Sequence, residues 1–367
     1  MKLGIVGLPN VGKSTLFNAI TQAGVLAANY PFATIEPNIG MVEVPDPRLA
    51  VLSELSHSKR IVPAVVEFYD IAGLVRGASQ GEGLGNKFLA DIRQCEAIVQ
   101  VLRCFEDPNV SHVDGSIDPL RDIETINLEL ILSDMELVEK ILAKTEKIAK
   151  SDKAARPEAA LLHRILDVLN EGKSARVLDL NEEEAKLLRS YQLLSTKPIL
   201  YIANVSDAEV AGTDVGTGTN PWVPKIRAFA DTENARVVAL CAQAEAEIAE
   251  LDATDKEEFL QLLGLSSSGV DRLIRASYDL LGQISFLTTG EMETRAWTIQ
   301  RDTPAVEAAG KIHTDIQRGF IRAEIVSYED LVVCGSMNVA REKGLVRLEG
   351  KDYPMQDGDV VYFRFNV

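Results

Sequence analysis

Gly7-Leu8-Pro9-Asn10-Val11-Gly12-Lys13-Ser14-Thr15 is the stretch that decides the fold. It matches G-x-x-x-x-G-K-[ST] at every fixed position. It lies between an apolar strand-like run (Leu3, Ile5, Val6) and a helix-like run (Leu16, Phe17, Ala19, Ile20), which is the strand–loop–helix context the pattern requires. Gly7 and Gly12 permit backbone angles and close approaches that a Cβ would block. Successive N–H groups can then turn inward and form a concave anion site, and the start of the following helix adds its dipole. Lys13 offers a point charge to the outer phosphates of a nucleotide, and the Ser14 hydroxyl is a Mg²⁺ ligand. Asn10, Val11, Gly12, Lys13, Ser14 and Thr15 are therefore the expected nucleotide-binding residues. The bland alternative, a Gly-rich turn before an ordinary helix, does not account for the intact motif in this context.

A phosphate cradle alone defines no reaction, but four later segments follow in the order of a Ras-like nucleotide switch. Thr34 sits in a loop-like stretch between Pro31 and Pro37, where a threonine can ligate Mg²⁺ and order when a γ-phosphate is present. Asp70-Ile71-Ala72-Gly73 closes an apolar strand (Val65, Val66, Phe68, Tyr69). Asp70 can hold Mg²⁺ through water, and Gly73 can face the γ-phosphate with its N–H. Leu74 stands where Ras-like enzymes carry a water-orienting Gln. Leucine has no hydrogen-bonding atom, so water must be positioned from elsewhere and hydrolysis is expected to be slow. Thr34, Asp70, Gly73 and Leu74 form the expected switch set. The Asn10 amide oxygen is a candidate K⁺ ligand, the alternative being an asparagine chosen for turn geometry.

The base side is read from Pro198–Ala203, a buried strand by its apolar run, ending in Asn204-Val205-Ser206-Asp207. Guanine-specific relatives use N-K-x-D here. Asn204 and Asp207 are present, but Val205 replaces the lysine, so the residues alone leave the base open. Val237–Leu240 reads as a strand leading into Cys241-Ala242-Gln243, a loop placed to close over a base.

The chain has 367 residues, enough for two or three domains, with 46% apolar and 25% charged residues. No apolar run is long enough to span a bilayer and the start reads as lacking a leader, so a cytoplasmic protein without membrane contact is expected. The net charge of −17 argues against general polyanion or DNA binding and confines any RNA contact to one local face. Four cysteines without a C-x-x-C pair give no disulfide framework or zinc site.

Residues 1–256 read as the nucleotide domain. Within it, 118–196 form a helical, coiled-coil insertion: Leu120, Ile123, Ile126, Leu130, Val138 and Leu142 recur at helical spacing, and Asn181 is a plausible N-cap. Residues 257–281 form a helical connector. Residues 282–365 show two strands, a helix opening at Thr303-Pro304, and further strands around 323–326, 345–348 and 360–363, the pattern of a β-grasp. Of Lys311, His313, Arg318, Arg322, Arg341, Lys343 and Arg347, a solvated surface is the more ordinary reading than an RNA face.

These features closely resemble the Obg-like ATPase family, the YchF branch of Obg-related P-loop NTPases. The resemblance runs from Met1 to Val367. It is carried by the Asn10-containing loop, Tyr30-Pro31-Phe32, Asp70-Ile71-Ala72-Gly73-Leu74-Val75, Gly83-Leu84-Gly85-Asn86 and Val101-Leu102-Arg103-Cys104-Phe105. It implies an α/β fold: a Ras-like P-loop domain with the coiled-coil insertion and a C-terminal TGS domain of β-grasp form. It also implies a Mg²⁺-dependent hydrolase favouring ATP over GTP, with the ribosome (large subunit or whole) as partner. By the same resemblance Ser14 and Thr34 hold Mg²⁺, Asn204 and the Val205 backbone read adenine, and His112 assists hydrolysis. Histidine titrates near neutrality, although an exposed loop histidine is an equal alternative. The family usually has Glu at the position of Asp207, so an Obg-type GTPase stays open. A small-molecule kinase is disfavoured by the switch set. An RNA- or protein-binding module with a structural nucleotide is the other rival.

Overall fold

The run ahead of the glycine-rich loop forms β1 (Lys2–Val6), with Leu3, Ile5 and Val6 fully buried. The computed structural model describes residues 1–23, 38–71, 84–107 and 115–366; Thr34, Gly73, Leu74 and His112 lie outside the described residues. After β1 come α1 (Lys13–Ala23), β2 (Ile39–Glu43), α2 (Arg48–Ser56), β3 (Ile61–Val62), β4 (Val65–Asp70), α3 (Leu84–Gln94) and β5 (Ala97–Arg103). Three helices follow, α4 (Pro119–Ala149), α5 (Arg156–Asn170) and α6 (Glu182–Tyr191). The chain continues through β6 (Ile199–Asn204), α7 (Val223–Thr232), β7 (Arg236–Leu240), α8 (Ala242–Glu250), α9 (Ala253–Leu262) and α10 (Gly269–Leu280).

Among the described residues, six strands make one sheet in the order β2-β4-β1-β5-β6-β7. β1 runs parallel to β4 and β5, and the parallel pairing continues through β6 to β7. Strands of a covered parallel sheet are buried on both faces, and every residue of β5 and β6 is buried. Parallel pairing has a functional consequence. The ends of β1, β4, β5, β6 and β7 fall on one edge, the edge where open α/β sheets bind ligands.

The helices of 118–196 are capped as their sequence suggests. The Asp118 carboxylate accepts from the N–H groups of Leu120 and Arg121, both at 3.2 Å, and Pro119 fills the first helical position, which needs no N–H. Asn181 and Glu184 form a reciprocal capping box at 2.9 and 3.1 Å. Val138, Leu142, Leu161, Leu162, Ile165 and Leu188 pack into the helices' own core. The buried Asp134 carboxylate fixes the return to β6, accepting from Leu194 N (2.9 Å), Ser195 N (2.7 Å) and Ser195 Oγ (2.6 Å).

The remainder contains β8 (Gln283–Thr289), β9 (Thr294–Gln300), α11 (Ala305–Ile312), α12 (Thr314–Arg318), β10 (Phe320–Ser327), α13 (Tyr328–Cys334), α14 (Met337–Glu342), β11 (Arg347–Glu349) and β12 (Asp359–Phe365). The sheet order is β11-β10-β12-β8-β9-β3. β8 and β9 form an antiparallel hairpin, and β12 lies parallel to β8 and antiparallel to β10. Phe286, Ile299, Phe320, Phe363 and Met355 close the core with Ala308 and Ala309 of α11. Pro304 occupies the N-cap of α11, one residue before the first-turn position expected for it.

The structure divides the chain differently from the boundaries read in the sequence. One compact unit is Met1–Val42 with Glu67–Leu273; the other is Glu43–Val66 with Ile274–Val367. Residues 43–66 thus leave the nucleotide domain, and the C-terminal unit begins inside α10, ahead of residue 282. The cause is long-range pairing. β3 joins the second sheet through Ile61–Thr294 and Val62–Arg295, and α2 packs on β8 and β9. Arg48 then locks α2 in place, donating through Nε and Nη2 to Asp46 and through Nη1 to Asp357, each at 2.8 Å. The other Asp357 oxygen accepts from Ser285 N at 2.9 Å. Charge-assisted hydrogen bonds of this kind contribute about 1.5–3 kcal/mol each in favourable settings. Arg48→Ala is expected to lower unfolding stability of this unit by about 2 kcal/mol, measured by urea denaturation. An unchanged midpoint would mean that α2 is held without this lock.

Candidate functional site

The loop after β1 has the backbone its sequence demands. Asn10 and Gly12 adopt positive φ angles of 64° and 91°, where a side chain other than that of Asn or Gly is strained. A Cβ on Gly7 would lie 2.8 Å from Val11 Cγ2 and 3.0 Å from the Val101 carbonyl oxygen. A Cβ on Gly12 would collide with Asn204 Nδ2. Lys13 opens α1, and Leu16 N already bonds to Gly12 O at 3.0 Å. The N–H groups of the first turn have no acceptor inside the helix, so they are available to an anion. Ser14 is exposed on this first turn and Thr15 is half-buried.

Asp70 ends β4 opposite Ile5 of β1. That register brings its carboxylate to the loop, where Lys13 Nζ pairs with Asp70 Oδ1. Two residues read separately in the sequence as phosphate-side cation and magnesium-side acid are thus neighbours.

The base-side cleft has a volume of about 560 Å³ and is lined by Asn10, Gly12, Thr15, Phe105–Asp107, Asn204–Asp207 and Cys241–Gln243. This lies within the range of small-molecule sites. Asn204 is only 3% exposed, and both ends of its amide are engaged. Nδ2 donates to Val11 O and Oδ1 accepts from Ala242 N, each at 2.9 Å. The side chain is therefore a strut joining the loop, β6 and the start of α8. Val205 N–H donates to Leu240 O at 2.9 Å, which leaves its carbonyl as the backbone group it can present. Asp207 is exposed at the lip of the cleft, with Oδ1 accepting from Ala208 N at 2.8 Å. Burial pushes the Cys241 thiol up, against the pull of the Ala244 and Gln243 N–H groups, which favours the neutral thiol.

Sequence reasoning missed one part of the site. Phe105, Glu106 and Asp107 line the cleft because Arg103, 2% exposed, folds back on them. Its Nε donates to Phe105 O at 3.2 Å and its Nη2 to Asp107 O at 3.3 Å. The guanidinium lies 4.9 Å from the Phe105 ring centre. The available signal was an arginine closing a strand that is apolar but for Gln100, since a buried charge must find acceptors nearby.

Gly12→Ala is expected to weaken triphosphate binding at least about tenfold, or 1.4 kcal/mol, in a calorimetric titration. Asn204→Ala leaves Val11 O and Ala242 N without partners, each costing about 1–3 kcal/mol, so it should lower both stability and nucleotide affinity. Wild-type affinity in both variants would contradict the strut.

Strand–loop–helix cradle, acid-ended β4 and base-side cleft on one edge of a parallel sheet together define a P-loop NTPase of the GTPase fold. A family profile described as 50S ribosome-binding GTPase matches residues 2–140, and the YchF-GTPase_C profile, described as a protein of unknown function, matches residues 283–366. The ribosome-binding ATPase YchF of Bacillus subtilis is 57% identical over 365 residues, covering 99% of each chain. Its namesake from Haemophilus influenzae is 52% identical over 367 residues, covering 100% of this chain and 99% of that one. The structure of the Schizosaccharomyces pombe YchF GTPase is similar at a TM-score of 0.89 and 37% identity, covering 99% of this chain and 97% of that one. A GTP binding protein of Pyrococcus horikoshii shares the fold, at a TM-score of 0.62 and 22% identity with both chains fully (100%) covered. The chain belongs to the YchF family.

Proposed function

We propose that the protein is a slow ATP-hydrolysing switch that uses Mg²⁺, prefers ATP to GTP, and docks on the ribosome according to its nucleotide. The observation that carries the base preference is the engaged Val205 N–H. The remaining carbonyl is an acceptor, which suits the exocyclic amine of adenine and repels the carbonyl oxygen of guanine. Relatives named ribosome-binding ATPases support both the reaction and the partner. A second reading, GTP, is favoured by Asp207, whose exposed carboxylate suits the N1–H and amine of guanine. The S. pombe relative is titled a GTPase.

The oxygen donors fit Mg²⁺. The Ser14 hydroxyl and Asp70 carboxylate are hard ligands, and Thr34 would add a second hydroxyl. No group of three His, Cys, Asp or Glu residues able to hold a metal occurs among the described residues. Mg²⁺ commonly takes a few protein oxygens and fills its shell with phosphate and water. When bound, it neutralises charge developing at the transferred phosphate. The chain's own part is to grip and aim the triphosphate. First-turn N–H groups and Lys13 hold the tail, Asn204 keeps the loop in register with the base segment, and Thr34 and Gly73 order against the γ-phosphate. Leu74 orients no water, which keeps turnover slow, and His112 supplies a group for proton or phosphate contact. The Asn10 amide oxygen is the candidate K⁺ ligand in this reading. Hydrolysis removes the γ-phosphate and frees the two loops, and the helices of 118–196 and the TGS-like C-terminal unit are the arms that would meet the ribosome. No helix among the described residues is long and apolar enough to cross a membrane, in keeping with work in the cytoplasm.

Lys13→Ala is expected to abolish phosphate release, whereas His112→Ala slows it and leaves ATP affinity unchanged; wild-type turnover in either removes that residue from the mechanism. Cosedimentation with ribosomes should differ between nucleotide-free, diphosphate and non-hydrolysable triphosphate conditions. Equal pelleting in all three would favour a binding module with a structural nucleotide. Competitive ATP and GTP titrations of Asp207→Glu test the base: a shift towards ATP assigns selectivity to this carboxylate, and no shift places it in the backbone.

A further inference from the structure

Two walls of the base-side cleft are tied together by a side chain set behind them. One wall is Phe105–Asp107, just past the end of β5, and the other is Asn204–Asp207, at the end of β6. Asn220 stands in the loop between β6 and α7 and is only 2% exposed. Neither it nor Glu209 is part of the cleft's lining. Asn220 Nδ2 donates twice, to Cys104 O at 2.8 Å and to Glu209 Oε2 at 3.1 Å. Its Oδ1 accepts from Trp222 N at 3.0 Å, since Pro221 between them has no N–H to offer. The reverse orientation of the amide would set its oxygen against two acceptors, a carbonyl and a carboxylate. The neighbours therefore dictate which way it points.

The Glu209 oxygen that receives Asn220 also accepts from Ser206 Oγ at 2.7 Å. Ser206 is the N-cap of the short turn Asp207–Glu209, yet its side chain makes no cap bond there. An N-cap serine ordinarily uses its oxygen as an acceptor for the turn's N–H groups; here the hydroxyl is spent as a donor to Glu209. A chain of bonds thus runs from Ser206 in one wall, through Glu209 and Asn220, to Cys104 O at the foot of the other wall. Cys104 N meanwhile donates to Asn204 O at 2.9 Å. Backbone and side-chain ties together fix the gap between the walls. Ser206 also shares a peptide group with the Val205 carbonyl. That carbonyl is held from both sides, by the Ser206 hydroxyl bond after it and the bond from Val205 N to Leu240 O before it.

We propose that Asn220 and Glu209 are positioning residues for base selection: they aim the Val205 carbonyl and set the gap that admits adenine in preference to guanine. The inference deepens the reading of this cleft as the site of an adenine nucleotide, and rests on it. Both residues act through Ser206 and Cys104, because neither reaches the cleft itself. A site selects sharply when its reading groups are locked by bonds from a layer behind them. A carbonyl held in place favours the exocyclic amine of adenine and repels the carbonyl oxygen of guanine. A carbonyl free to turn away does neither. Loss of stability alone would weaken ATP and GTP binding alike. The ratio of the two affinities therefore separates a positioning role from a structural one.

The test is calorimetric titration of the full chain with non-hydrolysable ATP and GTP analogues in the presence of Mg²⁺. Asn220→Ala and Glu209→Ala should each shrink the ratio of ATP to GTP affinity by about 3- to 10-fold, the size of one hydrogen bond's net contribution. Ser206→Ala should move it in the same direction. Glu209→Gln keeps an oxygen able to accept both bonds and should stay close to wild type. If Asn220→Ala does not fold, Glu209→Ala and Ser206→Ala, at half-buried positions, decide the matter. A wild-type ratio in these variants, or equal loss of ATP and GTP affinity, overturns the proposal and leaves the ATP reading standing on the wild type's own preference. If wild-type protein prefers GTP and Glu209→Ala still moves the ratio, the pair governs the base and the ATP reading falls. Equal wild-type affinity for the two nucleotides overturns both.

Discussion

The amide of Asn204 is the contact on which the nucleotide end of the first unit depends. It bonds at one end to the loop after β1 and at the other to the first residue of α8, so three stretches far apart in sequence share one position. Gly12 has to be glycine for the same reason: its backbone turns left-handed, and the space a side chain would fill holds Asn204 Nδ2. The motif glycine and the first residue of the base segment are thus one packing unit. The base segment and the phosphate cradle are therefore held in one register by a single side chain.

What was legible in the sequence was what short-range chemistry fixes. The loop from Gly7 to Thr15 has a rigid spacing, and its expected strand and helix are β1 and α1. Asp70 was readable because a carboxylate closes an apolar strand, and Asn181 because its side chain is a ready N-cap ahead of a helical run; the reciprocal bond from Glu184 came from the structure. Long-range choices were not legible. β3 is two residues long, too short to show a period, and its partner is more than 200 positions away, so residues 43–66 read as part of the domain that surrounds them. Arg103 looked like the end of a strand, although its buried guanidinium shapes the cleft wall. Asn204 was recognised as part of the site, but the engagement of its whole amide by the protein depends on how β6 meets β1 and α8.

The two units differ in how they use charge. In the first, Lys13 and Asp70 meet at the sheet edge, one cation and one acid beside a bed of backbone donors. In the second, Glu324 gathers two arginines next to an exposed tyrosine, although the chain as a whole is acidic.

The central claim is that the N–H groups at the start of α1 grip the phosphates of a magnesium triphosphate. Amide hydrogen exchange of the folded protein, with and without saturating Mg²⁺ and a non-hydrolysable ATP analogue, tests it most directly. The account predicts strong slowing of exchange at Gly12, Lys13, Ser14 and Thr15. Demonstrated binding of the analogue with exchange unchanged at these four amides would contradict it.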